Sequence, residues 1–160
     1  EVLGMADSFG MAFYKAEEAA KTILPLEGTV LISVAKKDRP EAVGVARAFS
    51  NLGFKIRATV GTCDYLAKNG VKSECILKLY EGRPNISDAI VNKEIQLVIN
   101  TPSGKMSQTD DSYIRKAAIR FKLPYITTLT AALAAAKGIE ARRKGTPGVR
   151  SLQSYHASLK

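Results

Sequence analysis

Strand-like and helix-like segments alternate five times along this 160-residue chain, and that alternation constrains the fold more than any other feature. Thr29 to Val34 is an unbroken apolar run rich in β-branched residues, the pattern of a strand buried on both faces. Phe54 to Ala58, Glu74 to Leu79, Ile95 to Asn100 and Tyr125 to Thr127 read as four further strands. Helical order follows each: from Asp38 to a stop at Gly53, from Asp64 to Asn69, from Ile86 to Asn92, from Asp111 to Lys122 and from Leu129 to Lys137. Asp38 is placed as an N-cap, with Glu41 three residues on as in a capping box and Pro40 early in the helix. Ser87 or Asn85 stands near the start of the third helix. The succession calls for an α/β three-layer sandwich, a five-stranded parallel sheet flanked by helices.

The first 20 residues read as one more helix, with Leu3, Met5, Phe9, Phe13 and Ala16 near helical spacing, and Pro25 and Gly28 close it off. A chain opening on Glu1 inside such a segment is expected to be a module of something larger. Three sections result: a linker helix at 1–24, the α/β domain at 25–137 and a basic tail at 138–160. From Lys137 to Lys160 six basic residues stand against Glu140 alone, so +5 of the net +9 charge lies there. Such an end suits nucleic acid or an acidic partner, but Gly145, Pro147 and Gly148 favour a solvated, mobile end. No apolar run nears the roughly 20 residues of a membrane span, so no membrane partner is expected, nor a secretory leader. Cys63 and Cys75 are too few for a disulfide framework and match no zinc spacing. A reduced, cytoplasmic protein without a metal site is the default, with Cys63 a small buried filler.

In open α/β sheets ligands bind beyond the carboxyl ends of the strands. Those ends carry Ser33 with Arg39 nearby, Thr59 to Thr62, Lys78, Asn100 to Gly104 and Tyr125 to Thr128, nearly all polar or small. Ala58-Thr59-Val60-Gly61-Thr62 joins a strand to a helix with two hydroxyls and a glycine. Amides and the dipole at a helix start attract an anion, so this turn is a candidate phosphate seat. Many such turns are only tight turns with an N-cap. Lys78 and Arg39 are the candidate countercharges, although either suits a snorkelling surface cation. Asn100 offers a donor and an acceptor to a sugar or base, or caps its own turn. Asp110 reaches a ligand or caps the following helix. His156, the one histidine, lies in the tail, and neither a P-loop nor a Rossmann glycine triplet occurs. No catalytic residue is assigned.

Eight segments occur in order: Glu1-Val2-Leu3-Gly4-Met5, Leu31-Ile32-Ser33-Val34, Gly53-Phe54, Ala58-Thr59-Val60-Gly61-Thr62, Glu81-Gly82-Arg83-Pro84, Ile99-Asn100-Thr101 with Ser103-Gly104, Ile114-Arg115-Lys116 and Tyr125-Ile126-Thr127-Thr128. Together they resemble the C-terminal allosteric domain of the bacterial carbamoyl phosphate synthetase large subunit over roughly residues 1–137. The resemblance implies a Rossmann-type fold named after methylglyoxal synthase, with 1–24 as the linker helix from the preceding synthetase domain. It implies regulation of a glutamine-dependent ligase of pyrimidine and arginine biosynthesis. In that family UMP inhibits, IMP binds overlapping ground, and ornithine activates from the boundary with the synthetase core. The nucleotide site then falls on Ser33, Arg39, Thr59, Gly61, Thr62, Lys78, Asn100, Pro102 and Asp110, and the ornithine contacts on Tyr125 and Thr127. The implied partners are the synthetase core and, through the parent, the glutaminase small subunit. This piece is expected to need no cofactor; MgATP, with room for manganese, serves the parent.

Two positions depart from the family pattern. Arg39 stands where lysine is usual, which keeps charge and changes hydrogen-bond geometry. Pro102 stands where a second threonine is usual, so a hydroxyl is lost. Two rival functions remain: a nucleic-acid-binding or docking module acting through the tail, and methylglyoxal synthase itself. The latter needs a carboxylate base where this chain has Arg83, and an arginine at neutral pH cannot abstract a proton.

Overall fold

β1 (Thr29–Ser33) is buried along its whole length at the centre of the sheet. Val30 and Ile32 turn to one face and Leu31 to the other, so the β-branched run feeds both core layers. β2 (Lys55–Thr59), β3 (Glu74–Ile76), β4 (Leu97–Asn100) and β5 (Tyr125–Ile126) complete a sheet in the order β3-β2-β1-β4-β5, every neighbouring pair parallel. The computed structural model describes residues 1–102 and 108–158, the side chains of 108–111 excepted.

One face is covered by α1 (Phe9–Ala19), α2 (Arg39–Asn51), α3 (Val60–Lys68) and α6 (Leu129–Lys144), the other by α4 (Ile86–Val91) and α5 (Gln108–Arg120). Phe49, Leu66, Leu97, Ile99 and Ile139 fill the first layer; Ile86, Ile90, Ile95, Val98 and Ile114 fill the second. The expected three-layer sandwich is therefore what forms. Gly53, at φ +79°, stops α2 in a left-handed turn that a β-carbon would strain.

Several boundaries differ from the sequence reading. The opening helix covers only 9–19, because Ser8 caps it by accepting from the Met11 amide, and residues 1–6 carry no regular structure. α3 begins at Val60 rather than Asp64, directly after β2, so the candidate seat is the helix's own first turn. β3 stops at Ile76, and α6 runs to Lys144 rather than ending at Lys137. The capping box expected at Asp38 does not form, since its carboxylate instead accepts from Thr101 Oγ1 at 2.7 Å. A short helix, α7 (Leu152–Ala157), was not foreseen.

The cysteines depart most. Cys63 is buried as expected, yet it is joined to Cys75 in a disulfide, with Cα atoms 5.5 Å apart. Twelve residues of separation carry the chain down α3 and back into β3, which is how two positions without any motif meet. The expectation of two separate thiols is overturned.

The basic tail is also in contact with the body. Arg143 donates to the carbonyls of Leu26 and Leu52 and lies 5.3 Å from the Phe54 ring centre. Arg142 lies 5.9 Å from the Tyr14 ring, and Lys15 Nζ donates to Gly148 O at 2.6 Å. Among the described residues no helix is long and apolar enough to cross a membrane.

Candidate functional site

In this strand order the chain reverses direction of growth between β1 and β4, and the crevice at such a switch point is where open α/β sheets bind ligands. Ser33 and Asn100 are register partners at the ends of those two strands, 6% and 1% exposed. Thr59 ends β2 beside them, and Thr62 follows in α3; both are buried. Sheet register thus brings three of the expected residues to one edge, and the first turn of α3 adds Thr62.

The first turn of α3 lacks a side-chain cap. Thr59 occupies the N-cap position, but its hydroxyl makes no capping bond and instead donates to Thr62 Oγ1 at 3.4 Å. The first-turn amides have no acceptor within the helix itself. Over this turn lies Arg39, the first residue of α2. A β-carbon built on Gly61 would stand 2.3 Å from Arg39 Nη2 and 3.0 Å from Cζ, so the guanidinium occupies the space that only glycine leaves. Arg39 Nε is buried without a hydrogen-bond acceptor among the described residues. Amides, two hydroxyls and a guanidinium therefore surround one point at a helix start. An anion there gains about 0.3–1 kcal/mol from the dipole, up to ~2 where partly buried, and charge-assisted bonds add to it.

The remaining expected residues belong to the other strand ends. Lys78 follows β3 by two residues, and its amide donates to Glu81 Oε2 at 2.8 Å. Pro102 is exposed just beyond β4. Asn100 Nδ2 donates to the Tyr125 hydroxyl at 2.8 Å, which joins a residue of the expected nucleotide site to one of the expected ornithine contacts. Thr127 is exposed after β5. The Asp110 side chain, Ser103 and Gly104 lie outside the described residues.

Thr101 is placed at the strand end by the sequence but given no role. Its hydroxyl accepts from the Ala35 amide at 2.9 Å and donates to Asp38, so it ties the loop after β4 to the turn preceding Arg39. A threonine directly after a strand-end asparagine was the available signal. Arg83, on which the sequence argument against methylglyoxal synthase rests, pairs with Asp88. That guanidinium, with the Asn85 amide, holds the Asp88 carboxyl below the usual carboxylate range. A cavity of about 560 Å³ lies between the N-terminal segment and the C-terminal one, lined by Leu3, Met5, Lys15, Val149 and Tyr155 among others, and no residue of the candidate site lines it.

A five-stranded parallel sheet of this order, covered by helices on both faces, defines a doubly wound α/β domain. Residues 41–127 match the MGS-like domain, and the chain belongs to that family. Over 157 residues, 98% of its length, it is 50% identical to the carbamoyl phosphate synthase large chain of Archaeoglobus fulgidus. It is 49% identical over 160 residues to that of Gemmatimonas aurantiaca. The chain spans 15% of the length of each of these relatives. A further relative, the carbamoyl phosphate synthase large chain, C-terminal section, of Aquifex aeolicus, is 46% identical over 90% of this chain and 27% of its own. Methylglyoxal synthase of Elizabethkingia anophelis superposes with a TM-score of 0.57 over 69% of this chain and 76% of that one, at 15% identity, a likeness of fold alone.

Proposed function

We propose that the chain is the allosteric domain of a carbamoyl phosphate synthase large chain and binds an effector nucleotide such as UMP or IMP at the carboxyl edge of the sheet. The observation that carries this reading is the Arg39 guanidinium seated over Gly61 at the uncapped start of α3. The phosphate lies on the first-turn amides and the Thr59 and Thr62 hydroxyls, with Arg39 and Lys78 supplying charge. Ser33, Asn100, Pro102 and Asp110 meet ribose and base. Ornithine is contacted at Tyr125 and Thr127, and the Asn100–Tyr125 hydrogen bond is the physical link between the two effectors. The parent is a cytoplasmic ligase of pyrimidine and arginine biosynthesis, and its MgATP chemistry, with ammonia from the glutaminase subunit, proceeds in parts outside this chain.

Calorimetric titration of the chain with UMP, with IMP and AMP as comparators, tests the reading. Saturable UMP binding is expected. Lys78→Ala should weaken it by about 1.5–3 kcal/mol, roughly ten- to a hundred-fold, the cost of removing a charged partner. Equal affinity in Lys78→Ala overturns the assignment of the phosphate to this seat. Absence of binding by any of the three nucleotides overturns the nucleotide reading.

A further inference from the structure

The disulfide lies against the candidate seat. Cys63 is the fourth residue of α3 and follows Thr62 directly; Cys75 is the register partner of Ala58, with Ile76 opposite Thr59. The bridge thus ties the first turn of α3 to β3, the strand that delivers Lys78 three residues after Cys75. β3 has three residues and lies at the edge of the sheet, paired on one side only. So short an edge strand is weakly held by its ladder, and a covalent tie to α3 fixes its position relative to the seat.

The two sulfurs differ in access. Cys75 is exposed, whereas Cys63 is 3% exposed and accepts from Ser73 Oγ at 3.5 Å. Exchange with a small thiol therefore has a defined direction. A reductant thiolate attacks the Cys75 sulfur, and Cys63 leaves as a thiolate beside the Ser73 hydroxyl. A second reductant thiol resolves the mixed disulfide, so two electrons enter the protein and the reductant departs as its own disulfide. Closure reverses the order: the Cys75 thiolate attacks a small-molecule disulfide, forming a mixed disulfide and releasing one thiolate, and Cys63 then attacks the Cys75 sulfur and releases the second. Two protein thiols are oxidised, one external disulfide becomes two thiols, and the protons balance.

We infer that Cys63–Cys75 is a reversible thiol–disulfide switch on the anion seat, with the bridged form presenting Lys78 and the α3 start in fixed relation and the open form binding an anionic nucleotide less tightly. The affinity part of this inference rests on the nucleotide reading above; the mechanical part does not.

The test equilibrates the chain in oxidised or reduced glutathione, counts free thiols by alkylation and mass spectrometry, and measures UMP affinity and amide hydrogen exchange in both states. One disulfide should form and open reversibly. UMP should bind the bridged form at least roughly five-fold more tightly, the lower end of ordinary coupling between sites. Exchange across 60–63 and 74–78 should be slower when bridged. Cys75→Ser, an exposed replacement that leaves the buried Cys63 in place, should behave as the open form in both buffers. Two alkylated thiols in the oxidising buffer, or equal affinity and equal exchange in the two states, overturns the switch. Slower exchange in the bridged form with no UMP binding in either state supports the bridge's control of the seat and overturns the nucleotide reading instead.

Discussion

Gly61 is where a single missing carbon shapes the site. Its backbone needs no left-handed conformation; it is helical, and alanine is the better helix former by about 1 kcal/mol. What alanine removes is room, since its β-carbon falls 2.3 Å from Arg39 Nη2, the far end of a flexible side chain that can swing away. Gly61→Ala should therefore leave thermal stability unchanged or slightly raised while weakening UMP binding roughly ten-fold, the worth of a charge-assisted contact. Paired melting and calorimetry separate the two effects. Undiminished affinity would remove Arg39 from the seat. The sequence showed a glycine and an arginine 22 positions apart at two strand ends, but not that one stacks on the other.

At the scale of elements, Asn85, one of the two starts left open for α4, caps that helix, whereas the start signal of α2 is misread. Asn85 Oδ1 accepts from the Ser87 amide at 2.9 Å, and Asp88 Oδ2 accepts from the Asn85 amide at 2.9 Å, a reciprocal cap formed within four consecutive residues. Asp38 had the same local pattern with Glu41, yet a hydroxyl 63 positions away captured its carboxylate. Local rules hold where no distant group competes. The α4 cap also carries a pH dependence. Asp88 binds protons less readily in the fold than in the unfolded chain, chiefly because of Arg83 and then the Asn85 amide. Its stabilising contribution is thus complete above the ordinary carboxylate range and is lost as pH falls through its depressed folded value. Asp88→Asn should lower stability at neutral pH and flatten the acid limb of a melting-temperature profile. An unchanged slope would place the acid sensitivity elsewhere.

For the molecule as a whole, the two chain ends are drawn together. α1 and α6 cross at Gly10 and Gly138, where a β-carbon on Gly10 would stand 2.5 Å from Lys137 O. Beyond the crossing, Arg143 binds the carbonyls of Leu26 and Leu52 and stacks on Phe54, so it clamps the segment leading to β1 to the turn leading to β2. Arg143→Ala should cost about 1–3 kcal/mol from lost charge-assisted bonds and cation–π contact, read as a lower denaturant midpoint with unchanged m-value. Arg143→Lys should recover part of it, since one ammonium cannot reproduce the planar fork. A midpoint unmoved by Arg143→Ala would make this cation a surface group after all.

Strand and helix alternation, the buried pattern of Thr29 to Ile32 and the polar residues at strand ends depend on neighbours in sequence, so they were legible before folding. They determined the three layers and the edge at which Ser33, Thr59, Thr62 and Asn100 gather. The disulfide, the stacking of Arg39 over Gly61, the Thr101–Asp38 and Asn100–Tyr125 hydrogen bonds and the anchoring of the basic end depend on groups 12 to 117 positions apart. Periodicity carries no information about which distant partner arrives, because that follows from strand order and register. Only the packed sheet, by setting β2 and α3 between β1 and the short β3, decided that a guanidinium and a cysteine pair would flank the same helical turn.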